Sequence, residues 1–354
     1  MAASSRFRIV GVGGTTPIGR TMSASAAAAR AGVSGFAEHP FMIDTAGEPM
    51  RVAAVSWLPT ELGGVERYCA LLFPAIDECL RLSRGDGVEL PAGLALGLPP
   101  CRPGRPPALA EQLIERIAVR YRGMFSVVEA FECGHAAGYV GAQTAIAALG
   151  SGRLHPWVIA AVDSYIAPET LEWLEASDQL HGAGSFNNAW GFIPGEAAGA
   201  VMIAPAAAQG DERAGPYCEL VSVGVARETN SINTAGVCVG QGLTRAFRDA
   251  LGGIGSDERV DNVVCDLNGE TYRADEYGFA VLRTREHFRA PTNFVAPADC
   301  WGDVGAASAP LHLSLVLISH ARGYAGGSLS MTWGSSESGE RGAAVVRGVT
   351  NRRV

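Results

Sequence analysis

A thiol and an imidazole, Cys133 and His135, stand two residues apart in Glu132-Cys133-Gly134-His135. Here a strand-like segment, Phe125 to Phe131, gives way to a helix of small and apolar residues from Ala136 to Leu149. A thiol near a helix N-terminus has a lowered pKa and becomes a nucleophile. An imidazole in the same place can move protons, although the helix dipole favours its neutral form. Along an extended strand two residues span about 6.5 Å, which would put Cys133 on the His135 side but set back from the helix end.

Other chemistries are excluded by residue type. All 28 basic residues are arginine, so there is no side-chain amine for a Schiff base or a P-loop. The eight cysteines are scattered without a C-x-x-C, which argues against zinc and against a disulfide framework. His39, His155, His181, His287, His312 and His320 carry no spacing that suggests a metal site. Gly11-Val12-Gly13 could open a dinucleotide fingerprint, but no glycine follows three positions later and no acidic residue closes a second strand at the expected distance. No cofactor is therefore implied.

The elements that must position Cys133 and His135 alternate between apolar strand-like runs and longer helix-like ones, the pattern of an α/β protein with buried, mostly parallel strands. Phe7 to Val12 reads as a strand, followed by a glycine-rich turn and a helix from Ser23 to Arg30. A polar loop is expected around Glu38-His39-Pro40, then a helix from Leu62 to Leu82, a strand from Gly93 to Leu98 and a proline-rich loop from Pro99 to Pro107. A helix from Ala108 to Tyr121 precedes the strand that leads to Cys133. Beyond the junction come a strand from Trp157 to Val162 and an amphipathic helix from Glu169 to Leu180. The Ala136 to Leu149 helix is apolar all round and is expected to be buried.

After a linker-like stretch from Ala206 to Pro216 the order repeats: strand Leu220 to Val225, helix Gly242 to Leu251, strand Val263 to Leu267, and a second small-residue helix from Gly305 to Ala321. That points to two similar halves, 1–209 and 210–354, whose buried helices meet near a pseudo-dyad.

The net charge of −8 is the wrong sign for a nucleic-acid binder, despite a small basic tail at Arg352 and Arg353. No apolar run approaches the roughly 20 residues of a membrane span, and the first ten residues lack the apolar core of a signal peptide. A soluble, cytoplasmic chain is expected, with no membrane or nucleic-acid partner.

Four strings carry a family resemblance: Ile9-Val10-Gly11-Val12-Gly13 with Thr16-Pro17-Ile18-Gly19; Gly191-Phe192-Ile193-Pro194-Gly195-Glu196-Ala197-Ala198-Gly199; Gly302-Asp303-Val304-Gly305-Ala306-Ala307-Ser308-Ala309; and Gly323-Tyr324-Ala325-Gly326-Gly327. In this order and at these separations the chain resembles the thiolase superfamily, in its β-ketoacyl-acyl-carrier-protein synthase branch. The resemblance implies a five-layered α-β-α-β-α fold built from two similar halves, and a homodimer. It also implies a reactive cysteine at the strand-to-helix elbow, which here falls on His135, with Cys133 displaced to the strand side. The two pocket residues that polarise the thioester fall on Asn268 and on Gly302 or Asp303. Glu196 matches an acidic residue beside the site, expected here to bond the amides of the Ala-Ala-Gly turn that follows, and Tyr324 matches the aromatic residue of a gate loop.

With an imidazole in place of the thiol, condensation looks lost. His135 could act as a base paired with Asp303, as an unusual nucleophile, or as a locally bonded residue filling the old cysteine site. Cys133 could be a displaced nucleophile or a small buried residue. The resemblance extends to non-condensing relatives: chain-length factors paired with an active synthase, and thiolase-like proteins that accompany type VI secretion effectors. Ala31 to Met42 and Gly134-His135-Ala136-Ala137-Gly138 look like the latter group. The expected role is a binding, adaptor or scaffold protein, as a homodimer or a heterodimer with a thiolase-like relative, with an effector or an acyl carrier protein as further partner. The alternative is an acyl-processing enzyme, an acyltransferase through Cys133 or a hydrolase using His135 and Asp303.

Overall fold

Alternation of strand and helix governs the whole chain. In the computed structural model, which describes residues 7–85, 87–150, 155–184, 187–206, 217–232, 234 and 236–349, the first elements are β1 (Phe7–Thr15), α1 (Met22–Arg30), β2 (Ala37–Ile43), β3 (Pro49–Val52), α2 (Gly64–Gly85) and β4 (Ala92–Gly97). They are followed by α3 (Leu109–Arg120), β5 (Phe125–Phe131), α4 (Ala137–Gly150), β6 (Trp157–Ser164), α5 (Pro168–Ala176) and β7 (Glu196–Pro205). Next are β8 (Tyr217–Arg227), α6 (Gln241–Leu251), β9 (Asn262–Cys265), α7 (Thr271–Leu282) and β10 (Phe294–Val295). The chain closes with α8 (Ala298–Trp301), α9 (Ser308–Ala321), β11 (Leu329–Ser335) and β12 (Glu340–Val349). Positions 207–216 of the linker-like stretch, and the basic tail at Arg352 and Arg353, lie outside the described residues.

Two sets of five strands share one topology. The order β1-β7-β6-β4-β5 has β1, β7 and β6 antiparallel and β6, β4 and β5 parallel; β8-β12-β11-β9-β10 repeats it. Three residue pairs between β1 and β8, from Phe7–Leu220 to Ile9–Cys218, join the two sets edge to edge. Every residue of β4 and β6 is buried, because helices cover both faces of these parallel strands.

Three apolar cores separate the layers. One lies between α2, α3 and the first strand set, with Leu71, Leu72 and Ile76 wholly inside. Another holds α6 and α7 against the second set; in α6 Leu243, Ala246, Phe247 and Ala250 recur at the helical period while Arg245 and Arg248 face water. The third lies between the sets and contains α4 and α9. The result is the expected five-layered α-β-α-β-α arrangement.

The central helices meet because their side chains are small. A Cβ on Gly138 of α4 would stand 2.6 Å from Cβ of Ala309 on α9, closer than two carbons can approach. The expectation of complete burial holds only for the start of α4: Gln143, Ala147 and Gly150 are exposed. The segment around Glu38-His39-Pro40, expected as a loop, is strand β2, which pairs with β3 in a separate two-stranded sheet. No helix among the described residues is long and apolar enough to cross a membrane.

Candidate functional site

Strand β5 ends at Phe131, and the chain turns through Gly134 (φ +65°) into one turn of 3-10 helix, Gly134–Ala136, ahead of α4. Because the backbone has left the extended conformation at Cys133 (φ −124°, ψ 23°), Cys133 and His135 do not share the strand face that their spacing suggests. A matching 3-10 turn, Gly305–Ala307, starts α9. The two helix starts face each other, and the gap between them is the site.

His135 reaches across that gap. Its Nε2 lies 2.8 Å from Oδ1 and 3.0 Å from Oδ2 of Asp303, and both residues are 4% exposed. Burial alone would lower the imidazole pKa, but the Asp303 carboxylate outweighs it and the net shift is upward. Burial would raise the Asp303 pKa; the His135 imidazolium and the Arg273 guanidinium reverse this and hold the carboxyl well below its usual range. Both shifts favour the charged forms, imidazolium beside carboxylate. The lowered pKa expected of His135 from the helix dipole is overruled by a full charge at hydrogen-bond distance.

Asp303 is itself fully engaged. Asn268 donates from Nδ2 to Oδ2 at 2.6 Å, and the Gly305 amide donates to Oδ1 at 2.8 Å. Gly305 must be glycine: its φ is +49°, and a Cβ would stand 2.0 Å from Oδ2 of Asp163. Gly302 places Asp303 by backbone alone, with φ +74° and a Cβ that would meet the Ile193 carbonyl oxygen at 2.8 Å. The Asp303 amide bonds the Ile193 carbonyl, and its carbonyl accepts from the Gly195 amide, each at 2.8 Å.

Residues the sequence reading missed surround this pair. The Ala136 amide, the first after His135, donates to Ser336 Oγ at 2.8 Å from the turn between β11 and β12. Asn268 also donates to Glu270, which accepts from Arg273 Nε at 2.9 Å; Arg273 continues to Asp266 at 3.0 Å and to the Ser335 carbonyl at 2.6 Å. Arg273 and Asp266 are buried, as is His312 of α9, whose pKa burial pushes down to about 3. The only sequence signal for Ser336 was a Gly-Ser-Ser turn after an apolar run; nothing in the chain placed that turn beside His135.

The other candidates fall out differently. Cys133 is partly buried and makes no hydrogen bond among the described residues; burial, aided by the Glu340 carboxylate, pushes its thiol up to about 12. Glu196 does not bond the amides of residues 197–199, which continue strand β7. It accepts instead from Arg67 Nε at 2.6 Å, the Val55 amide at 2.8 Å and Ser164 Oγ at 2.9 Å. Beside it, Asp163 pairs with Arg102 at 2.5 Å and accepts the Ala306 amide at 2.9 Å. Tyr324 lies in the loop after α9, its ring under the Arg30 guanidinium at 4.0 Å, and lines a different cavity from the one at Asp303.

A cavity of about 250 Å³ opens onto the site, lined by Phe36, His181, Ile193, Asn268, Asp299 and Asp303. His135 is not in its wall; the imidazole sits behind the carboxylate. What the cavity offers a visitor is the Asp303 and Asn268 side, not a nucleophile.

No family model and no curated protein sequence matches the chain. Solved structures do. A chain of "AntDE:AntF (apo)", described as a type II PKS acyl-carrier protein in complex with its ketosynthase bound to the hexaketide, is 14% identical with a TM-score of 0.78, covering 98% of this chain and 100% of that one. The ishigamide ketosynthase/chain length factor is 19% identical at a TM-score of 0.68, covering 97% and 99%. The ketosynthase ApeO in complex with its chain length factor ApeC, from Xenorhabdus doucetiae, is 12% identical at 0.71, covering 98% of both. The likeness runs the length of the chain and establishes the fold as that of the ketosynthases, which is thiolase-like.

Proposed function

We propose that this chain is a non-condensing protein on a ketosynthase fold that works by binding, as an adaptor or scaffold. One observation carries the reading. At the elbow the imidazole is locked to Asp303, the carboxylate is saturated by Asn268 and Gly305, and the Ala136 amide that could polarise a carbonyl is taken by Ser336. Among the described residues none of these engaged groups is free to attack a thioester, and Cys133, the neighbouring thiol, is held protonated.

In this reading the halves 1–209 and 210–354 descend from one duplicated unit, and the protein assembles with a second thiolase-like chain, its own copy or a relative. Strand β5, at the end of the sheet with Val127 36% exposed, is an edge with one strand neighbour among the described residues, which suits such assembly. The similar ketosynthase/chain length factor and acyl-carrier-protein assemblies give the same partners their plausibility here. Delivery of a type VI secretion effector is the more specific role, supported by the resemblance of Ala31 to Met42 and of Gly134 to Gly138.

The test is incubation of the whole protein with acyl-coenzyme A and acyl-carrier-protein thioesters, followed by intact-mass and thioester-hydrolysis measurements. The reading expects no adduct and no hydrolysis above buffer. An acyl adduct abolished by Cys133→Ala would establish the acyltransferase alternative. Hydrolysis abolished by His135→Gln with the fold intact would establish the hydrolase.

A further inference from the structure

A second space, larger than the one at the elbow, has no part in the site described above. A half-open cavity of about 460 Å³ lies between α1, α9 and the β9/β10 edge of the second strand set. It shares no lining residue with the elbow cavity. Its floor is apolar and buried: Ala26 and Val316 are 1% exposed, Val263 3% and Val264 6%. Its mouth is the Gly323 to Gly327 loop, the glycine-rich string whose aromatic residue, Tyr324, the elbow does not use.

The polar groups around it divide sharply. Asp261, the one acid among the described lining residues, is held by Arg289 at 2.5 Å and by the Leu329 amide at 3.0 Å. Asn262 spends its oxygen on the Gly326 amide at 2.7 Å and its nitrogen on Ser330 at 3.1 Å. Ser319 donates to the Val316 carbonyl at 2.8 Å. Of the charged groups, the one left over among the described lining residues is Arg30, in the last turn of α1. Its guanidinium is positioned by stacking on Tyr324, and among the described residues it has no carboxylate partner.

We infer that this cavity binds a small amphipathic monocarboxylate, its acid on Arg30 and its hydrocarbon body on the floor formed by Ala26, Val263, Val264 and Val316. An apolar chamber with one oriented charge is how ligand sites of this size select a class. A planar guanidinium pre-set by an aromatic face suits a carboxylate bidentately. At about 30 Å³ per water the space equals roughly 15 waters, room for an acid of about ten carbons.

The experiment is calorimetric titration of the full chain with decanoate and with decan-1-ol. Saturable one-site binding of decanoate is expected, at least tenfold tighter than the alcohol. Arg30→Gln should weaken decanoate at least tenfold and leave decan-1-ol unchanged. Ala325→Trp, on the loop and away from the core, should close the mouth and abolish both, with the thermal midpoint reporting that each variant remains folded. Absence of saturable binding, equal affinity for acid and alcohol, or unaltered decanoate binding in folded Arg30→Gln or Ala325→Trp would each overturn the proposal. None of these outcomes depends on the elbow.

Discussion

The His135 imidazole and the Asp303 carboxylate form a buried ion pair 2.8 Å long that spans 168 positions of sequence and couples the starts of the two central helices. Its consequences are measurable.

Removing one partner should cost far more than removing both. Asp303→Ala strips the buried His135 and Arg273 of their shared counter-charge and should lower the unfolding free energy by about 3–5 kcal/mol. Denaturant unfolding measures this. The His135 ring, followed by NMR, should titrate at lower pH than in the parent, since the carboxylate that holds its pKa up is gone.

The pair also sets a pH window. His135 has a pKa above its ordinary 6.5, so its contribution is complete below 6.5 and is lost as pH rises through the raised native value. Asp303 lies below its ordinary 3.8, so its contribution is complete above 3.8 and is lost as pH falls through the lowered native value. The stability difference between the parent and the double variant His135→Leu, Asp303→Leu should therefore be greatest between about 4 and 6.5 and decline on both sides. Urea midpoints across pH 3 to 9 test it; a difference that grows above pH 7 would contradict the pairing.

Cys133 should be a poor nucleophile. With the thiol at about 12 rather than its ordinary 9, the thiolate fraction at pH 8 falls on the order of a thousandfold. Iodoacetamide at pH 8, read by peptide mass spectrometry, should label the exposed Cys101 well before Cys133.

Contact between the central helices should show coupling. Gly138→Ala forces a methyl against Ala309 and should cost about 1–3 kcal/mol. Adding Ala309→Gly should restore part of that loss, although Ala309→Gly alone destabilises a helix. Purely additive effects would contradict the close packing.

Most of the fold was legible because its signals are local. The period of α6, the uninterrupted apolar runs of β4 and β6, and the small residues of α4 and α9 each reflect what an element buries. The errors were also local. Glu38-His39-Pro40 looks like a loop by residue type, but pairing with β3 makes it a strand. Cys133 and His135 look like strand neighbours on one face, but Gly134 turns the chain between them.

The site was legible only in part. His135, Asn268 and Asp303 were found and do converge, whereas Ser336, Arg273 and Asp266 were not, and Tyr324 belongs to another cavity. Sequence by itself determined that a layered α/β fold would form and that an imidazole would stand at the elbow, since periodicity and residue type are properties of a single segment. Only the tertiary structure decided what that imidazole can do, because its charge state and freedom depend on a carboxylate, an amide and a serine delivered by distant segments. Such contacts leave no trace in local spacing.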